Sequence, residues 1–166
     1  MKVIYSLLCL VMCNFANFEQ INAIEQPKIT MKMEPTGQSP ALVGKWIVIG
    51  CQLNGVWLPH PIFENFIYSF PDLGHYTLSW ADLTFPKYVG GFPKSDNGTI
   101  SINTQVIPNT IDLVPAAGPY AGKTMMGIFE LDHDVLKANF AFPGNERPKV
   151  FSAGQGQVYE IWQRIQ

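Results

Sequence analysis

Residues that could do chemistry are few in this chain of 166 residues, and the densest run of them is Asp132-His133-Asp134. Two carboxylates flanking an imidazole are the side-chain types that hold zinc or relay a proton. The sequence on either side gives them a different role. Gly127, Phe129 and Leu131 lie on one face before the triplet, and Leu136, Ala138 and Phe140 lie on one face after it. Two alternating runs joined by a few polar residues predict a β-hairpin, and Asp is favoured in its turn because the carboxylate bonds local backbone N–H groups. Neighbouring side chains there diverge, so a zinc site would need His60 or His75 brought in from elsewhere in the fold. The triplet is expected to be a turn, with no metal.

Other routes to chemistry are thinner. The chain has no Gly-x-Ser-x-Gly, His-Glu-x-x-His, Cys-x-x-Cys or phosphate-binding glycine loop. Glu130 and Glu160 form a conceivable carboxylate pair, but each falls in a predicted strand, where an outward, solvated position is expected. His60 lies between two prolines, which suits a surface loop. Cys51 sits in the apolar run WIVIGCQL without basic neighbours, so it is expected to be a buried small hydrophobe rather than a reactive thiol. No catalytic residue and no cofactor is expected, and the chain is not expected to be an enzyme. The aromatics offer more. Tyr76, Trp80, Phe129, Phe140, Phe142 and Trp162 fall in predicted strands, mostly on the more apolar face, where they either fill a core or line a pocket. If a pocket exists, Tyr76, Trp80, Phe129 and Phe140 are its candidate ligand-binding residues.

The elements that must position these side chains begin after an export signal. Lys2 precedes the uninterrupted apolar run Val3 to Met12, and Ala23 is a small residue at a plausible cleavage point. That layout predicts a signal peptide over residues 1–23 and a secreted or periplasmic protein. The run is too short to span a bilayer, which takes about 20 residues. A lipid anchor at Cys13 is disfavoured by the bulky Met12. Cleavage would leave Cys51 as the single cysteine, and hence no disulfide framework. Residues 24–41 are polar and proline-broken, a flexible lead-in. Residues 42–166 carry short apolar runs with turn signals about every 8–12 residues and no convincing long helix, which predicts one all-β domain, a sandwich or an antiparallel barrel of about 8–10 short strands. In HYTLSWADL, Tyr76, Leu78 and Trp80 share one face. Asn54-Gly55 marks a turn, LPHPIFENF has room for one helical turn after Pro61, and YVGGF reads as a strand weakened by glycine.

Charge excludes some partners. The formal net charge is −2 and charged residues make up 14% of the chain, against a usual figure of about 25%. With no basic cluster, neither nucleic acid nor an anionic membrane surface is indicated. Asn97-Gly98-Thr99 is a glycosylation sequon, although a turn accounts for the same Asn-Gly and is preferred.

LVGKWIV, NGVWLP, GHYTLSW, the long run IDLVPAAGPYAGKTMMGIFELDHDVLKANFAFPGNERPKVF and the closing WQRI together resemble an uncharacterised lipocalin-like domain family abundant in planctomycete bacteria. The resemblance covers residues 42–164, and the stretch from Gly122 to Phe151 is its most specific part. It implies an antiparallel up-and-down barrel of the lipocalin kind, and no established activity. That family often carries a cysteine where this chain has Asn139, so no role of that cysteine transfers. Trp46 and Arg164 look like the wider calycin arrangement, in which a late-strand Arg lies over a first-strand Trp at the closed end. Their role would be structural. Arg147, in the loop PGNERPK, is expected to pin that loop against Asp132 or Glu146. Two functions remain open: a monomeric module holding a small apolar ligand in the barrel, or a solid-cored module that binds a protein partner through its loops.

Overall fold

The computed structural model describes residues 42–80 and 95–165. The expected signal peptide, the lead-in and YVGGF lie outside the described residues, as does the side chain of Trp80. Among the described residues nine strands follow in order: β1 Gly44–Leu53, β2 Val56–Trp57, β3 Phe66–Phe70, β4 His75–Trp80, β5 Ser95–Asn103, β6 Asn109–Pro115, β7 Met125–Asp132, β8 Val135–Ala141 and β9 Gln157–Ile165. A 3-10 turn over His60–Ile62 is started by the proline-rich segment. No helix among the described residues is long and apolar enough to cross a membrane.

Every strand pairs antiparallel with its neighbour in the order β2-β1-β3-β4-β5-β6-β7-β8-β9, and β9 returns to pair with β1 from Lys45–Ile165 to Leu53–Val158. The sheet therefore closes on itself as an eight-stranded antiparallel barrel with β2 as an extra hairpin strand. Closure removes the free edges that a flat sheet would present. Asn54 and Gly55 take φ of 50° and 87° in the β1–β2 turn, a left-handed pair that Asn-Gly adopts readily. His133 has φ of 52° in the β7–β8 turn, where Asp132 and Val135 are the last paired residues.

Alternation decides which side chains face in. Along β1, Trp46 and Val48 are interior, then a bulge between Val48 and Gly50 adds Ile49 to one strand only. The extra residue inverts the pleat parity, so Cys51 and Leu53 follow Val48 into the core and Ile49 is left outside. Two glycines make room for aromatic neighbours. A Cβ on Gly127 would lie 2.5 Å from Phe140 Cδ1, and one on Gly98 would lie 2.7 Å from Tyr76 Cε1. Gly98 corrects one expectation: Asn97-Gly98 is not a turn but part of β5, with Asn97 exposed opposite Thr77.

Candidate binding site in the barrel interior

One end of the barrel is shut by packing. Trp46, Phe70, Leu42, Ile111 and Leu136 there are fully buried. Trp46 donates its indole N–H to the carbonyl of Leu42 at 2.8 Å, and the guanidinium of Arg164 lies 4.2 Å above the ring centroid. Arg164 is fixed in turn by Asp134 at 2.9 Å and by the carbonyl of Val43 at 2.9 Å. The Asp-His-Asp turn thus supplies a partner for Arg164. Its three side chains do not converge, because His133 points into solvent beside Asp132 while Asp134 reaches across to β9.

Above that floor stands a column of rings. Tyr68 stacks on Trp162 with centroids 4.2 Å apart, Phe70 and Phe140 lie 5.8 and 6.3 Å from Trp162, and Tyr76 lies 6.4 Å from Tyr68. Three of the sequence-derived pocket candidates belong to this interior: Tyr76, Phe129 and Phe140 expose 3%, 1% and 1% of their surface. A side chain bordering a void that admits water keeps accessible area, so these rings are in contact with protein on all sides. Phe142 is not part of the group. It follows β8 and stacks on Tyr120 at 5.6 Å.

Glu160 is the residue that the sequence reading misplaced. It was expected on an outward, solvated face, but its side chain is inside the barrel, with strand partners Cys51 and Ala138. The signal was present in QVYEIWQRI, since Val158, Glu160 and Trp162 share one pleat parity and Trp162 is a core residue. Trp162 donates its indole N–H to Glu160 Oε2 at 2.9 Å, and the Tyr68 hydroxyl also bonds the carboxyl. Burial pushes Glu160 up to about 7, and the two hydrogen bonds act in the opposite direction. Burial, with the nearby carboxylate of Glu160, also drives the Tyr68 hydroxyl and the Cys51 thiol well above their ordinary ranges. Cys51 is therefore held as an inert thiol inside the core. Glu130, by contrast, faces outward beside Lys137 at 3.9 Å.

A second carboxyl faces the interior nearer the other end. Asp96 lies opposite Leu78, accepts the Tyr76 hydroxyl at 3.1 Å and accepts the backbone N–H of Ala117 at 3.2 Å. Burial, then the charge of Asp96, raises the Tyr76 hydroxyl above its ordinary range. This end, where β1 finishes and β9 begins, is dressed differently from the floor. Leu58, Ile62, Phe66, Leu78, Met125 and Val158 pack against the core there while remaining partly exposed. Also at this end, β4 finishes and β5 begins.

The loop between β8 and β9 is laid along the outer wall. Arg147 does not use Asp132 or Glu146, as the sequence suggested. It grips Asp112 of β6 with both terminal nitrogens, at 2.5 and 2.9 Å, and also donates to the carbonyl of Gly127. Fork-to-fork pairing of this kind fixes direction as well as distance. Asn139, fully buried, donates to the carbonyls of Val150 and Ser152 at 2.8 and 2.9 Å, and Gln52 accepts the N–H of Ala153 at 2.8 Å. Beside Arg147 a polar surface concavity of about 330 Å³ is bounded by Asn145, Glu146, Lys149, Gln155 and Gln157.

Comparison of the chain with family models, with curated proteins and with solved structures found no match.

Proposed function

We propose that this domain is an exported, non-catalytic binding module that takes a small molecule with an apolar body at the end of its barrel where the described residues leave apolar side chains partly exposed. The observation that supports this reading is the contrast between the two ends. The floor is packed by Trp46, Arg164 and Phe70, with Ile102 and Leu131 partly uncovered, whereas the opposite end presents more such side chains, among them Phe66, Leu78, Met125 and Val158. Partly exposed apolar side chains at the mouth of a barrel are where such a fold can take up an apolar ligand. Phe129 and Phe140 then act as support beneath the ligand, because a ligand touching them would have to displace packed rings. The test is titration with a neutral, environment-sensitive fluorophore, together with native mass spectrometry of the purified protein. Saturable binding with one site per chain is expected, and Leu78→Trp at the entrance should abolish it while leaving circular dichroism unchanged. A protein that neither carries nor takes up an apolar molecule sinks the reading. Export is tested separately by sequencing the N-terminus of the secreted product, expected to begin at or near Ile24.

The concavity beside Arg147 favours a second reading, in which the outer loop binds a protein partner. Capture from the native compartment that is lost on Lys149→Glu would support it, and loop variants indistinguishable from wild type would count against it.

A further inference from the structure

The Asn97-Gly98-Thr99 sequon is left without a structural purpose once its Asn-Gly pair lies in a strand and not in a turn. All three residues belong to β5, and Asn and Gly are both disfavoured inside strands. Gly98 has a packing reason, because a Cβ there would meet the ring of Tyr76 and the carbonyl of Val114. Asn97 has no such reason. Its backbone carbonyl accepts the N–H of Ala116 at 2.7 Å, which any residue could do. Among the described residues its carboxamide has no hydrogen-bond partner.

Period-two alternation puts both reactive members of the sequon on one side of the sheet. Asp96 turns inward to Tyr76, so Asn97 and Thr99 face outward, and both are exposed. The wall around them is low. Asn97 lies opposite Thr77 on β4, with Ser95 and Thr99 two residues away on its own strand and Ala116 on the far side. Each of these side chains is shorter than that of Asn, so none overhangs the carboxamide. Hydroxyls of this kind bond sugar hydroxyls as readily as water. The exposed large apolar side chains among the described residues lie away from this face, with Ile49, Val56 and Trp57 on β1 and β2.

We propose that Asn97 carries an N-linked oligosaccharide that covers the outer face of β4 and β5. This rests on the proposal that the chain is exported and adds a modification site to it. The donor is an oligosaccharide carried on a lipid diphosphate, and the catalyst is a transferase of the export machinery. Nδ2 of Asn97 forms the bond to the first sugar's anomeric carbon, and the bond from that carbon to the diphosphate oxygen breaks. The lipid diphosphate leaves with the electron pair, and one carboxamide proton goes to a base of the transferase. Transfer takes place on the extended chain, because β5 in the finished barrel is locked between β4 and β6.

Intact mass and N-terminal sequencing of the protein from its own host test the assignment together. The mature chain is expected to exceed its sequence mass by a whole number of sugar units. Peptide N-glycosidase in heavy-oxygen water should remove that excess and leave the label at position 97. Thr99→Ala should lose the excess completely and Thr99→Ser should keep it, both with the circular dichroism of wild type, since Thr99 is exposed. A bare Asn97 on a chain that begins at or near Ile24 overturns the glycan and leaves export standing. A bare Asn97 on a chain that still begins at Met1 overturns both. A mass excess that survives Thr99→Ala overturns the assignment to this sequon.

Discussion

Glu160 makes the stability of the barrel depend on pH in an unusual direction. Its folded-state carboxyl is pushed up to about 7 by burial, so the folded chain binds this proton more tightly than the unfolded chain does. The associated stabilisation is fully present below the ordinary carboxylate range and is lost as pH rises through about 7. A shift of that size corresponds to something on the order of 3 kcal/mol across the window. Urea unfolding at pH 5 and pH 8 should show the decline in wild type, and Glu160→Gln should flatten it. A Gln variant that keeps the wild-type slope would mean the carboxyl is not desolvated. Asp72 acts in a separate, more acidic window. It is held below its ordinary range first by the Gly74 N–H and then by His75, so its contribution fades as pH falls. At the floor, Arg164→Ala removes the cation above Trp46 together with the bonds to Asp134 and Val43. A loss of about 1–3 kcal/mol is expected, read as a lower urea midpoint with a changed near-ultraviolet signal from Trp46.

Neighbouring strands are matched through small-against-large pairs. Gly127 on β7 lies under Phe140 on β8, and Gly98 on β5 lies under Tyr76 on β4. Adding one methyl at Gly127 would also bring a Cβ to 2.9 Å from the carbonyls of Asn139 and Ile111, where the backbone has no means of retreat. Gly127→Ala is therefore expected to destabilise by about 1–3 kcal/mol, measured by denaturant unfolding. A variant as stable as wild type would show that β7 and β8 can slide apart at little cost. The loop over residues 142–156 is secured differently, by polar staples to the wall. Arg147→Ala should speed amide hydrogen exchange at Val150, Ser152 and Ala153 while leaving β1 and β9 protected, since the lost bonds are to Asp112 and Gly127 only. Exchange that accelerates equally in the strands would show that the loop is part of the core's cooperative unit.

At the scale of the whole molecule, the closing seam decides integrity. The first long strand finds its partner in the last, so the barrel cannot close until the chain ends are together. Contacts so distant in sequence form late and slowly. Once formed, the β1–β9 ladder, bulged at Ile49, and the β8–β9 ladder flank Trp162 on both sides, and their amides should be the slowest to exchange. Fastest exchange at Val48 and Trp162 would contradict a closed barrel and indicate an open sheet. Among the described residues no disulfide contributes to closure. Cys51 is a free, buried thiol, and the described core is held by ring packing, ladder bonds and a few buried side-chain hydrogen bonds such as Trp162 to Glu160.

The amino-acid sequence by itself determined the all-β class, the turn at Asn54-Gly55 and the hairpin through Asp132-His133-Asp134, because turn chemistry and period-two alternation are local properties. Placing Trp46 against Arg164 needed more than local pattern, since the two residues lie on the first and last strands of the barrel. Alternation also held the clue to Glu160, two residues from Trp162, but the general expectation that carboxylates face water outweighed it. Asn97-Gly98 failed for a similar reason, since a turn signal was overridden by strand pairing with β4 and β6. Only the tertiary structure decided that Asp96 shares the interior with Glu160, that Arg147 holds Asp112, and which end of the barrel is sealed. Each of those depends on register between strands distant in the chain, together with one bulge at Ile49 that inverts the inward face of β1.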